Sequence, residues 1–530
     1  MDKNNTNIIQ WCSYALLLFA LIWSLRYVFE GLGNVMDPLY WMHKYAHAEG
    51  GWMASGTIVI GHLLVSVFGA QLMPLRFVAW LCVVVAILLP YGMLLNSEQR
   101  KANIPWLAIS LMLMNYGAFQ EFSPGTLTIL CLSAIWCILI RFQRTKKVVW
   151  LVCMGLLTGM AIAIRFPNIL VLLVVLCAIV LSRELSREMK LRVGGLYMLY
   201  ALIGAGVLYG IAWAAMTPAY MDAAMGSHQI SSMIEQLWTK GALLFGSIAI
   251  WVAVVLLGRE LQRRLTQKWC VVMMCCIGLG IGLLLAHYVT FVPKASKWYN
   301  IDLTYMVSAF CLVIAFMSAK KELWWGMFVL VVATLGTDTA WLKLFPVVLC
   351  LLPIAAVHYE KKLQLYLLVI SFVFAITVMV RFSINSIGNC NLRHVDTWAS
   401  IAPYENIRIP VKDAEWLEQV KTDYEQYAND RITILAVGQR MHMMREVMGC
   451  QAAVYNEFWS NIFDKVYTEK YQEYVRRERP IVFCTFAPNF KTKPSCVDTQ
   501  SAFENMLRAE GYKEIDRSEY KYMIYIPSND

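Results

Sequence analysis

Charge is the scarcest ingredient of this sequence. Only 15% of its 530 residues are Asp, Glu, Lys or Arg, whereas 59% are hydrophobic. A soluble domain carries about a quarter charged residues, so a single water-soluble globule is excluded. No CxxC pair occurs among the fifteen cysteines, which removes the usual structural zinc framework. There is no Walker A stretch, so nothing points to an ATP-driven pump. GxSxG and HExxH are also missing. No pair of Gly/Pro-broken apolar segments recurs in matching halves, as an inverted-repeat transporter would require. Internal repeats and low-complexity linkers are absent.

What is present is apolar and arranged in long runs, with a mean hydropathy of +0.53. A helix needs roughly 20 mainly apolar residues to cross the hydrocarbon core. About thirteen such runs are expected, near 8–25, 74–95, 104–121, 125–141, 148–165, 168–182, 193–216, 241–258, 269–291, 300–318, 324–338, 342–358 and 363–381. The first reads as an uncleaved signal anchor, because no small-residue cleavage site follows it. Residues 53–68 are apolar but interrupted by Gly56, Gly61 and His62, and are expected to form an interfacial helix.

The net charge of +10 does not indicate nucleic acid, because the cations sit in short clusters between apolar runs. Arg100/Lys101, Arg141–Lys147, Arg183–Arg192, Arg259–Lys268, Lys320/Lys321 and Lys361/Lys362 occupy alternate loops. Four of the loops on the other side, 122–125, the 165–168 turn, 217–240 and 337–341, are poor in cations. The positive-inside rule then puts the N-terminus and all six clusters in the cytoplasm. Residues 1–381 form the expected transmembrane unit, with 26–73 as a first extracytoplasmic loop. Residues 382–530 form an expected extracytoplasmic α/β domain, with strands at Arg431–Val437, Pro480–Phe486 and Tyr520–Pro527. Eleven cysteines lie in or beside apolar runs as small hydrophobes. The other four, Cys390, Cys450, Cys484 and Cys496, would be in an oxidising compartment that permits one or two disulfides.

The external loops carry the candidate chemistry. Asp37-Pro38-Leu39-Tyr40-Trp41 places a carboxylate before Pro at a helix start. It suits an N-cap beside an aromatic belt, and equally a general base at the membrane boundary. Glu121 ends a span, where a carboxylate is hydrated, paired or functional. Asp37 and Glu121 together would suit Mg2+ or Mn2+, with waters completing the shell. Arg165 is a boundary cation whose guanidinium forks onto phosphate oxygens. Lys294, Lys297 and Tyr299 make a second cationic loop, suited either to lipid headgroups or to a donor phosphate. Tyr40, His43 and Asp338 are candidate substrate contacts, although a Thr-flanked turn alone also explains Asp338. His228 is a weaker candidate.

Residues 37–41, Phe68–Phe77 and the Gly155–Pro167 run ending in Arg165, together with the span layout and terminal Gly511-Tyr512, resemble the GT-C-fold glycosyltransferases. The similar group is the one using polyprenyl-phosphate sugars, family 39 and the aminoarabinose transferases. The resemblance covers most of the chain, though the first loop has Asp37-Pro38 where that family typically has an acidic pair. It implies an inverting transferase of the bacterial inner membrane, active on the periplasmic face. Asp37 would be its base, Glu121 a second carboxylate, and Arg165, Lys294 and Lys297 would lie near the donor phosphate. The implied partners are a polyprenyl-phosphate sugar, membrane lipid and an acceptor that is lipid, glycan or protein. A transporter or flippase of a lipid-linked glycan is the alternative, and the scarcity of polar residues in mid-span counts against it.

Overall fold

The computed structural model describes residues 3–31, 37–50, 53–114, 122–218, 230–265, 269–291, 301–318, 320–334, 340–384, 395–427, 434–437, 441–448, 465–485, 503–520 and 522–528. Up to Ile384 the described residues are mostly helical. The first ten helices are α1 (Lys3–Phe29), α2 (Asp37–Ala46), α3 (Ser55–Phe68), α4 (Leu72–Leu94), α5 (Ser97–Ala102), α6 (Ile104–Leu113), α7 (Pro124–Thr145), α8 (Val148–Ile164), α9 (Leu170–Val180) and α10 (Arg187–Ala215). Helices Ile230–Arg264, Trp269–Phe291, Ile301–Met317, Lys321–Val331, Ala340–Val348, Leu352–Ala356 and Lys361–Ile384 follow. Among the described residues, six helices are long and apolar enough to cross a membrane, and others are apolar but shorter. The molecule is a multi-pass helical membrane protein.

Between apolar helices the solvent is no worse than the neighbour, so close packing must come from small residues and satisfied polar groups. Helices α8 and α10 touch at Gly159 and Gly204, where an added methyl would overlap the facing Ala201 and Leu156 carbonyls. The Tyr197 hydroxyl donates across the same seam to Thr158 Oγ1 at 3.1 Å. Buried indoles find carbonyls: Trp136 Nε1 donates to Glu322 O at 3.0 Å and Trp251 Nε1 to Met306 O at 3.1 Å.

The helices run between two ends. All six cation-rich loops meet at one of them. Arg144 forks onto Glu322 with its closest contact at 2.7 Å, and Lys146 pairs with Glu184 at 2.6 Å. Arg259 Nη2 donates to Met317 O at 2.6 Å, Gln262 donates to Glu360, and Gln364 Nε2 donates to Asn103 Oδ1 at 3.1 Å.

Beyond the last long helix, a short antiparallel pair, β3 (Thr397–Trp398) with β4 (Arg408–Ile409), leads into helix Val411–Tyr427. A mixed four-stranded sheet follows, made of β5 (Ile434–Val437), β6 (Ile481–Thr485), β7 (Tyr512–Arg517) and β8 (Tyr522–Pro527) in the order β5-β6-β8-β7. Strands β5 and β6 are parallel, with Ile434 opposite Ile481, and the other pairings are antiparallel. Cys484 is a buried free thiol that donates to Glu504 at 3.7 Å. Cys390, Cys450 and Cys496 lie outside the described residues.

Helix Val411–Tyr427 is fastened to the sheet by Asp423. Arg517 donates to both of its oxygens at 2.9 Å, Tyr522 Oη at 2.6 Å and Gln419 Nε2 at 3.1 Å. Burial pushes the Asp423 carboxyl up, but these bonds and the Arg517 charge outweigh it and leave it below its ordinary value.

Candidate active site

The end opposite the cation clusters is built around the first interhelical segment. Helix α1 finishes at Phe29, and Glu30 and Gly31 turn the chain toward α2. Gly31 has φ +82°, a conformation that favours glycine. Its N–H donates to Arg408 O at 2.8 Å, and its carbonyl accepts from Arg76 Nη1 at 2.8 Å. Arg76, in α4, is wholly buried. Glu30 meets Arg26 at 2.6 Å and Arg408 at 3.8 Å. Burial raises the Glu30 carboxyl above its usual range, and the two guanidiniums only partly pull it back.

Helix α2 begins at Asp37, with Pro38 in its first turn, where Pro loses no intrahelical bond. Its other end is pinned by buried Tyr45. That hydroxyl donates to Phe122 O at 2.7 Å, and the Tyr45 carbonyl accepts from His62 Nδ1 at 2.7 Å. The carbonyl can only accept, so the His62 proton is on Nδ1. Strand β1 (Glu49–Gly50) then pairs in parallel with β2 (Thr217–Pro218).

The same segment grips the turn after α8. Phe166 N–H donates to Met53 O at 2.9 Å, and Thr57 Oγ1 to Ile164 O at 2.9 Å. Asn168 braces that turn by donating to Thr128 Oγ1 at 3.0 Å and to Ala161 O at 2.8 Å. Arg165 is buried, and its Nη1 donates to Ala333 O at 2.8 Å. Backbone this close to hydrocarbon needs partners, and here these bonds join four separate parts of the chain.

The candidate residues fall in three groups. Tyr40, His43 and Arg165 are described, and all three are buried. Tyr40 lies edge-on to Trp41 with Lys44 Nζ 4.6 Å from its ring, and the His43 ring is 4.4 Å from that of His47. Asp37 is placed through its backbone at the start of α2, but its side chain lies outside the described residues. Glu121, Lys294, Lys297, Tyr299, Asp338 and His228 also lie outside them. Phe122, next to Glu121, does meet α2. Among the described residues, no group of three His, Cys, Asp or Glu could hold a metal ion. Sequence reasoning missed Glu30, Tyr45, Arg76 and Arg408. Arg76 alone had a signal, a cation inside an apolar run, and it was read only as part of a longer stretch.

Residues 58–213 match the family model described as dolichyl-phosphate-mannose-protein mannosyltransferase. No curated protein sequence matches the chain. The apo oligosaccharyltransferase of Archaeoglobus fulgidus is 12% identical, with 98% of this chain and 75% of that one aligned and a TM-score of 0.51. ArnT from Cupriavidus metallidurans bound to undecaprenyl phosphate is 11% identical, with 97% of each chain aligned and a TM-score of 0.47. The chain has the fold of the archaeal oligosaccharyltransferase, and its resemblance to the GT-C-fold, polyprenyl-phosphate-sugar-dependent glycosyltransferases holds.

Proposed function

We propose that this protein is an inverting glycosyltransferase that moves a sugar from a polyprenyl phosphate to an acceptor outside the cytoplasm. One observation carries the proposal: residues 58–213 match a mannosyltransferase family whose named donor is a dolichyl phosphate sugar. The buried network at the cation-poor end is where that chemistry would take place. Residues 1–381 would be the membrane-embedded catalytic unit, and 382–530 an α/β domain on the same outer face. By the charge rule that face lies away from the cytoplasm; in a bacterial inner membrane, as the resemblance implies, it would be periplasmic.

The acceptor hydroxyl or amine attacks the anomeric carbon opposite the phosphate. The new bond to carbon forms as the bond from carbon to phosphate oxygen breaks, and the electron pair leaves with the polyprenyl phosphate. Asp37 takes the acceptor proton, and Glu121 serves as the second carboxylate. Arg165, Lys294 and Lys297, with the Tyr299 hydroxyl, face the charge that grows on the leaving phosphate. Donors held ready for developing charge supply the largest part of such acceleration. Arg165 is held ready in this sense, because the Ala333 carbonyl fixes one arm of its fork. Tyr40, His43 and Asp338 would shape the sugar pocket. A divalent ion, if bound, would be held by Asp37 and Glu121 and would supply Lewis-acid charge.

The test is chemical. Purified protein in lipid, given a radiolabelled polyprenyl-phosphate sugar and an envelope acceptor extract, should release polyprenyl phosphate and form a product of inverted anomeric configuration. Movement of intact donor across the bilayer without cleavage would refute the proposal.

A further inference from the structure

We infer that Arg408, on the chain segment after the last membrane helix, is a positioning residue for the helix that presents Asp37. This inference rests on the function proposed above. The geometry converges on one dipeptide. Gly31 is held by its N–H to the Arg408 carbonyl and by its carbonyl to Arg76, each at 2.8 Å. The Arg408 guanidinium reaches back to Glu30 at 3.8 Å and lies over the Trp398 ring at 5.9 Å. Strand β4 thus grips the chain six residues before Asp37, while Arg76 grips the same residue from the membrane side.

The grip is anchored at its far end. Helix Val411–Tyr427 begins two residues after β4 and is tied through Asp423 to Arg517 and Tyr522 of the sheet. Two further bonds join the same bodies, Leu72 N–H to Pro403 O at 3.0 Å and Gln71 Nε2 to Glu405 Oε2 at 3.1 Å. Helix Met441–Met448 also packs on α2. Two rigid bodies therefore bracket the short connection into α2. Loosening one of them frees that helix to tilt without unfolding either body. A general base acts only within hydrogen-bond reach of its proton. A tilt of about 1 Å there would slow turnover far more than it loosens the donor, because under the proposed function only the sugar meets Tyr40 and His43 of that helix while the lipid and phosphate are held elsewhere.

The experiment uses the full chain in lipid nanodiscs. Arg408→Ala keeps the main-chain bond to Gly31 and removes the guanidinium that faces Glu30 and Trp398; it should raise amide hydrogen exchange in residues 37–46 about tenfold while the sheet amides of 481–485 and 522–527 stay protected. It should lower kcat about tenfold with the donor KM within about twofold. Arg408→Lys, which keeps a charge facing Glu30, should recover most of both. Exchange in 37–46 that matches the native protein would overturn the inference, and so would faster exchange with unchanged kcat. If Arg408→Ala also loosens the sheet, Glu30→Gln decides. It leaves the C-terminal sequence intact and should loosen 37–46 alone; no loosening there overturns the inference. Asp37→Asn separates the two ideas. Full turnover in that variant defeats the base assignment, whereas selective loosening of α2 in Arg408→Ala still upholds the grip.

Discussion

The two ends of the helical body are joined by different physics. At the cation-rich end, loops meet through long side chains that remain partly in water: Arg144 and Glu322 are 41% and 35% exposed, and Lys146 and Glu184 are 34% and 70% exposed. Such pairs contribute little, typically below 1 kcal/mol. At the opposite end the links are buried and run mostly to main-chain atoms: Arg76 to Gly31, Tyr45 to Phe122, Thr57 to Ile164 and Arg165 to Ala333. Removing one partner there strands a polar group away from water, which costs about 1–3 kcal/mol, more where the group is charged. The first end is held by partly exposed side chains; the second is fixed in place, as the proposed reaction site requires.

That contrast can be broken in order of expected effect. Asp423→Ala leaves Arg517 and Tyr522 facing a void and should destabilise the C-terminal unit by about 3–5 kcal/mol in chemical denaturation. Because the folded Asp423 pKa lies below the ordinary ~3.9, its contribution is complete above that value. It drains away as pH falls through the folded pKa. A native-minus-variant stability difference that shrinks under acid is therefore expected. Arg76→Ala opens a cavity and orphans the Gly31 carbonyl, so a loss of about 3 kcal/mol should appear as a lower unfolding midpoint. Arg165→Ala should cut sugar transfer about a hundredfold, and Lys should not rescue it, because an ammonium cannot hold Ala333 and fork to phosphate at once. Last, a double-mutant cycle on Arg144 and Glu322 should give a coupling below about 1 kcal/mol that fades in salt. A coupling of several kcal/mol would erase the distinction between the ends.

The sequence exposed the parts of the fold that depend on local pattern. Long apolar runs became helices, and RITILAV and PIVFCTF contain β5 and β6. Strand β7, Tyr512–Arg517, escaped because it is a charged sheet edge with only Tyr512 buried, and such edges lack an apolar signature. Helix Met441–Met448 escaped because its four buried residues, Met443, Met444, Val447 and Met448, form too short a stripe. The site was only partly legible. Arg165 and Asp37 announced themselves as charges at span ends. Glu30 did not, because its meaning depends on Arg408, far along the chain. Tyr45 looked like one aromatic among many until its hydroxyl met Phe122.

One measurement bears most directly on the whole account: sugar transfer from a polyprenyl-phosphate donor by purified Asp37→Asn protein, beside native protein, in the same proteoliposomes. The variant should fold and insert normally, bind the donor with near-native affinity and transfer no sugar. Transfer at the native rate would contradict the account.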